Sequence, residues 1–251
     1  AANAQAYQYV RLYFRPKTPT QFHIEGIREP CDFFMGKHAP VLYMMVFDAA
    51  RLLTSPGVQF SDGNMQGHPP VYSNDQGFDL LDFSRIYHEG PMSIEEKDVI
   101  RRARCAEVLV PSPMSLPPYL QAVICRSAAE RQLLLHELGP NFGGRDRIRV
   151  FNEAGVFNAD FVFVESVDLA RDGIHVQFHP ARRGSPQGHV EVWLSPTQGN
   201  GPMIRWEQND LEFWRKWQFT HQVADGTYLV EIRVRGCLAY RAVSILQSEP
   251  F

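Results

Sequence analysis

The texture of the sequence changes near residue 150, and that change constrains the fold more than any other feature. Before it, strand-like and helix-like stretches alternate. After it, residues 161–169, 175–178, 189–194, 203–206, 214–221, 227–235 and 237–246 all read as strands, with turn signals at Asp172-Gly173 and Asp225-Gly226. About seven short strands in ~100 residues predict a β-sandwich of immunoglobulin-like type, without the Cys-Trp-Cys core of antibody domains. Residues 139–147, rich in Gly and charge, read as a linker. The expected organisation is therefore an α+β part over 1–147 and a β-sandwich accessory domain over 148–251.

Within the first part, residues 9–14 read as a strand stopped by Pro16 and Pro19. The continuous apolar run 41–47 predicts a central strand. Asp48 is placed to cap a short helix over 49–53, and 58–60 is a short strand entering the turn Ser61-Asp62-Gly63-Asn64. Ser93 and Glu96 form a capping box that predicts a helix over 94–104, followed by a strand over 105–110. A further strand is expected over 119–125. A second capping box, Ser127 with Glu130, opens a helix that stops at Gly139-Pro140.

The 25 basic and 28 acidic residues give a net charge of −3, so any nucleic-acid contact must come from local patches. No apolar run approaches the ~18–20 residues of a membrane-spanning helix, so no membrane association is expected. Residues 1–9 lack the basic start and apolar core of a signal peptide. Cys31, Cys105, Cys125 and Cys237 form no CxxC pair, which argues against structural zinc and for a reduced, cytoplasmic protein. The histidines are scattered, and no metal site is expected. Motifs for phosphate loops, dinucleotide folds, zinc proteases and nucleophile elbows are all missing.

Three features can carry chemistry. Glu107 sits among apolar residues of a strand, sharing a face with Cys105 and Leu109. Either the strand is an edge with Glu107 in water, or the carboxylate is held rigidly and aimed into a cleft. Tyr13 to Gln21 is a strand exit stiffened by two prolines and carrying Arg15, Lys17 and hydroxyls. It suits a planar or phosphorylated ligand, or it is a solvated loop. Arg101, Arg102 and Arg104 precede the Glu107 strand, either as a solvated face or as phosphate contacts. Trp206, Trp214 and Trp217, with Arg205 and Arg215, read mainly as sandwich core and otherwise as a stacking surface.

Taken in order, the segments Tyr9-Val-Arg-Leu-Tyr-Phe-Arg-Pro-Lys-Thr-Pro19, Val58-Gln-Phe-Ser-Asp-Gly-Asn64 and Arg104-Cys-Ala-Glu-Val-Leu-Val110 resemble the DarT-type DNA ADP-ribosyltransferases, toxins of bacterial toxin–antitoxin systems. The resemblance covers about half the chain, from Tyr9 to Gly139. It implies a split, mainly antiparallel β core with helices, NAD as co-substrate, single-stranded DNA as partner, and an antitoxin that reverses or blocks the modification. It matches Glu107 to the catalytic glutamate and Tyr13 to the aromatic lining the NAD pocket. Arg15 and Asn64 fall on the NAD side. Tyr87, His88, Arg101, Arg102 and Arg104 fall on the nucleic-acid side. Carboxylates stabilise positive charge developing at a sugar carbon when its glycosidic bond breaks, which suits Glu107 to cleavage of the nicotinamide–ribose bond. The accepting base must be unpaired to expose its reacting atom.

The sequence departs from the family in two places. Thymidine-modifying members tend to carry His after the turn, where this chain has Asn64, and this favours guanine as the target base. The family's upstream segment, with a His-x-Thr-like NAD contact and a catalytic arginine, is expected to be missing before Tyr13, so the chain reads as N-terminally incomplete. The alternative functions are a non-catalytic nucleic-acid or partner-binding module, or an ADP-ribosyltransferase acting on RNA or protein.

Overall fold

The computed structural model describes residues 4–150, 155–199 and 201–247. The remaining residues of the two expected domains lie outside this description. The elements in chain order are β1 (Tyr9–Tyr13), α1 (Pro19–Ile24), β2 (Met44–Phe47), α2 (Ala49–Leu53), β3 (Gln59–Ser61), β4 (Val71–Ser73), α3 (Asn74–Phe78), α4 (Phe83–Ile86), α5 (Lys97–Ala103), β5 (Glu107–Pro111), β6 (Leu120–Cys125), α6 (Ala128–Leu138), β7 (Ile148–Val150), β8 (Phe163–Ala170), β9 (Gly173–His179), β10 (Gln187–Pro196), β11 (Ile204–Glu212), β12 (Lys216–Thr220), β13 (Gly226–Val234) and β14 (Cys237–Leu246). This is a mixed α/β chain with several sheets, few and short helices, and a β-rich C-terminal region. None of its described helices is long and apolar enough to cross a membrane.

The chain divides into two compact units, each discontinuous in sequence. The first takes Ala1–Phe22 and Met45–Gln121, and the second takes His23–Met44 and Ala122–Phe251. By this division residues before 147 contribute to both units. One physical reason lies at the expected linker: β7 pairs in parallel with β6, Val123 opposite Ile148, so the chain returns to its own preceding strand.

The first unit is organised by the antiparallel sheet β1-β5-β3-β4. Side chains of a strand alternate between faces. Val108 and Val110 of β5 and Phe60 of β3 therefore join Leu52, Leu81 and Ile86 in one apolar cluster, with Val10, Leu12 and Phe14 packed against it. The rings of Phe14 and Phe83 meet edge-on at 5.7 Å, as do those of Phe60 and Phe78 at 5.2 Å. On the opposite face Leu109 packs with Met65 and Ala6 in a smaller cluster.

Two expectations in this unit shift. The run 41–47 yields only the short β2, at the edge of the sheet β2-β6-β7 with Met45 and Val46 exposed, rather than a central strand. At Ser93 one capping bond forms, the Glu96 N–H donating to Ser93 Oγ at 3.2 Å, while the Ser93 hydroxyl itself donates to Glu96 Oε2. Yet α5 begins only at Lys97, because Ile94 is 89 % exposed and no packing holds a first turn there. By contrast, Asp48 caps α2 as expected, its Oδ1 accepting from the Arg51 N–H at 3.1 Å.

In the second unit all seven expected strands form, as the antiparallel sheets β11-β10-β13-β14 and β12-β9-β8. Their inner residues share one cluster that includes Val190, Val192, Leu194, Val230, Ile232, Ile174, Val176 and Phe178. Gly173 in the Asp172-Gly173 turn has φ +131, and a side chain there would collide with the Phe219 carbonyl. Trp206 and Trp217 pack against the core, whereas Trp214 is exposed beneath the Arg215 guanidinium, 4.3 Å from the ring centre. Ser127 caps α6 and its hydroxyl donates to the Val164 carbonyl at 2.7 Å. Arg126 and Glu130 form an ion pair that is almost wholly buried.

Candidate active site

The register of the first sheet places three polar residues in one row. Tyr13 of β1 lies opposite Glu107, and Glu107 lies opposite Ser61 of β3. This row faces away from the larger apolar cluster. Glu107 opens an interior strand and is 1 % exposed, so the reading of it as a solvated edge residue is overturned. The Met65 backbone N–H donates to its Oε2 at 3.0 Å, and Arg11 Nη1 lies 3.6 Å from its Oε1. Burial pushes the Glu107 carboxyl up. The Met65 N–H, Arg11 and the Tyr13 hydroxyl pull it back without cancelling that rise.

Around this carboxylate the turn after β3 is tightly tied. Asn64 Oδ1 accepts from the Gln66 N–H at 2.9 Å, capping the short turn Met65–Gly67, while its amide nitrogen reaches the Tyr13 hydroxyl at 3.4 Å. Burial pushes the Tyr13 phenol up to about 12, so it stays a neutral donor. The Ser61 hydroxyl donates to the Gly63 carbonyl at 2.7 Å. Arg102 of α5 donates through Nη2 to both Asp62 oxygens, at 2.9 and 3.1 Å. Gly63 makes room for it, since a Cβ there would lie 3.0 Å from Arg102 Cγ.

A second set of bonds fixes the exit of β1. Arg15 is buried, donating from Nε to the Pro16 carbonyl and from Nη1 to the carbonyls of Ile86 and His88, at 3.0–3.1 Å. Burial, and then the nearby Arg104, lower its pKa. The Tyr87 hydroxyl donates back to the Phe14 carbonyl at 3.0 Å. Arg104 Nη2 donates to the Lys17 carbonyl at 3.0 Å, and the Lys17 N–H donates to Gln21 Oε1 at 2.7 Å. Between these clamps Lys17 is held at φ 56, a left-handed conformation rare for a residue with a side chain.

Tyr13, Asn64 and Glu107 thus come together, and Arg15, Tyr87, His88 and Arg104 are tied to the loop that follows Tyr13. Arg102 is engaged by Asp62. Arg101 is exposed on α5 and has no hydrogen bond or ion pair among the described residues. Two residues join the site that sequence reasoning did not single out, Arg11 and Met65, and Lys17 joins it in an unforeseen backbone state. Arg11 shares the Tyr13 face of β1 by simple alternation, a signal that becomes readable only once β1 is paired with β5. Lys17 was seen but not its backbone state, which tertiary clamps impose. Met65 contributes a backbone N–H, which leaves no trace in residue type.

In the second unit His189, Glu191 and Glu207 bring ligand atoms within 4.8 Å of one another. Arg205 bridges the two carboxylates at 2.5 and 2.8 Å, so the cluster is an ion-pair network.

The family model described as "ssDNA thymidine ADP-ribosyltransferase, DarT" matches residues 2–157. The chain belongs to the DarT family. It is accordingly an NAD-dependent enzyme of the single-stranded-DNA ADP-ribosyltransferase class, and the matched span contains every residue of the Glu107 site. No curated protein and no solved structure matches the chain. The DarT description names thymidine, whereas Asn64 had pointed to guanine. With its carbonyl oxygen capping the 65–67 turn, Asn64 carries that preference less well than its sequence position suggested.

Proposed function

We propose that this DarT-family protein transfers ADP-ribose from NAD to an unpaired base of single-stranded DNA, with Glu107 as the catalytic residue. We further propose that it acts in the cytoplasm as a toxin restrained by an antitoxin. The observation that carries the catalytic reading is the buried carboxylate of Glu107, held on an interior strand between Tyr13 and Ser61 and reached by its cation, Arg11, only at 3.6 Å. A buried charge is costly, and such a cost is most readily kept at a functional site.

In this reaction the bond from nicotinamide to ribose breaks and neutral nicotinamide leaves, while the same ribose carbon bonds to a nitrogen of the base, whose proton passes to the Glu107 carboxylate and from there to water. Glu107 accepts a hydrogen bond from the ribose 2′-hydroxyl and offsets the positive charge that develops at the sugar. For this the Met65 turn lifts from the carboxylate. Tyr13 and Asn64 take the NAD side, and Arg15 shapes that side by fixing the neighbouring loops. Tyr87, His88, Arg101 and Arg104 take the DNA side, with Arg101 the cation best placed for phosphate. Arg102 serves the site by holding the Asp62 turn. The ADP-ribosyltransferase-like split core corresponds to residues 1–147, and 148–251 is an immunoglobulin-like accessory domain.

The test is to incubate the protein with NAD and four single-stranded oligonucleotides, each lacking one base, and to read intact mass. Gain of one ADP-ribose in three of the four names the base. Thymidine, named in the family description, is the first acceptor to examine and guanine the second. No gain on any DNA, with RNA or a protein modified instead, replaces the acceptor. No gain on anything favours a binding module.

A further inference from the structure

We propose that Arg11 is a positioning residue for Glu107, keeping the carboxylate aligned and ionised when the turn carrying Met65 lifts to admit substrate. This rests on the reading of Glu107 as the catalytic residue.

Three groups outside its own strand favour the charged form of Glu107: the neutral Tyr13 hydroxyl on β1, the Met65 N–H and Arg11, the last two from different parts of the unit. The Met65 N–H belongs to a three-residue turn, capped by Asn64 and seated through the Met65 side chain. Arg11 belongs to β1, which pairs with β5 along five consecutive residues. A ribose hydroxyl that reaches Glu107 Oε2 takes the place of the Met65 N–H. Arg11 lies on the Oε1 side and is held by the sheet, so it does not depend on that turn.

The other groups facing Glu107 do not supply positive charge. The Tyr13 phenol on β1 is kept neutral by burial. The Cys105 thiol, preceding Glu107 on its own segment, is likewise pushed up by burial and remains a neutral thiol. Ser61, opposite on β3, directs its hydroxyl proton to Gly63. Asp62 on the following turn is paired with Arg102. Among the described residues Arg11 is therefore the cation at this carboxylate. At 3.6 Å and about one-third exposed, it supplies charge and orientation more than a short hydrogen bond.

The experiment follows single-turnover ADP-ribosylation of an oligonucleotide against pH, using the full chain as wild type, Arg11→Lys, Arg11→Met, Arg11→Gln and Glu107→Gln. For Arg11→Met the expected result is a loss of about tenfold in rate at pH 7, with the acidic limb of the profile moved up by about one pH unit, since one unit is tenfold in proton affinity. The KM for NAD should change little, and Arg11→Lys should recover most of the rate and the position of the limb. Arg11→Gln provides the same readout if the methionine variant does not fold. A wild-type acidic limb in the folded Met or Gln variant overturns the role of Arg11 while Glu107 stands. A fully active Glu107→Gln overturns the catalytic reading itself, whatever the arginine variants do.

Discussion

Glu107→Gln should make the protein more stable while it abolishes transfer. The carboxylate is 1 % exposed and keeps one backbone donor at 3.0 Å, the neutral Tyr13 hydroxyl, and one cation, about one-third exposed, at 3.6 Å. Burial raises its pKa in the folded state above the ordinary carboxylate value. Between those two values the folded chain holds a proton that the unfolded chain has released. Wild-type stability therefore falls as pH rises through that window, and the whole penalty persists above it. Glutamine keeps the shape and the acceptor for the Met65 N–H but has no charge to desolvate. Replacing a buried, imperfectly paired charge by a neutral isostere gains about 1–2 kcal/mol. At ~2–4 °C per kcal/mol for a chain of this size, the melting temperature rises by about 2–8 °C at pH 7.5. The gain should shrink towards zero below pH ~4, where Glu107 is protonated in both states. Thermal melts of the two proteins at pH 7.5 and at pH 4 check this. A Glu107→Gln protein that melts lower than wild type at pH 7.5 would refute the reasoning, because it would make the carboxylate a net support of the fold.

Arg101→Ala should flatten the salt dependence of single-stranded DNA binding by ~0.7 in the slope of log K against log salt, as removal of one phosphate contact does. Arg102→Ala should instead lower turnover with the slope unchanged, because that guanidinium holds Asp62. An unchanged slope for Arg101→Ala in a salt titration moves the DNA path elsewhere. Lys17→Gly suits the left-handed backbone and should leave the melting temperature within a few degrees of wild type. Because the Tyr13–Gln21 loop suits a phosphorylated ligand, losing the Lys17 ammonium should also raise the KM for NAD about tenfold, and an unchanged KM leaves Lys17 outside the NAD site. Arg126→Met leaves Glu130 buried without its partner and should cost about 3–5 kcal/mol in urea unfolding; a smaller loss means that Glu130 is accommodated as a neutral acid.

What the sequence made legible was local. The strands of the second unit announce themselves through alternation and Asp-Gly turns, and the capping residues Asp48 and Ser127 act within four residues of themselves. What it hid was set by long separations. Arg15 reads as a free cation until its targets 71 and 73 residues away are seen to be carbonyls. The Met65 donor reaches Glu107 across 42 residues. The apolar run 41–47 has the composition of a central strand, but strand order depends on which partners remain, and among the described residues only β6 lies beside β2. Glu107 itself was legible as an oddity, because a carboxylate in an apolar strand breaks the local pattern whichever way the strand is paired.

The arrangement around that oddity supports the proposed catalytic reading of Glu107 over that of a merely buried carboxylate. A structural carboxylate needs only its own partners. Here the loops near Glu107 are each fixed by an arginine that does not touch it: Arg15 binds the 86–88 segment, Arg102 the Asp62 turn, and Arg104 the Lys17 carbonyl. Each guanidinium is committed to positioning backbone or a carboxylate, an expensive use of charge when apolar packing would hold the same loops. The result is a positioned surround for a carboxylate that also accepts from the capped 65–67 turn. In the proposed reaction the 65–67 turn gives up its bond to Glu107, while the Arg11 pair, carried on β1, stays in place.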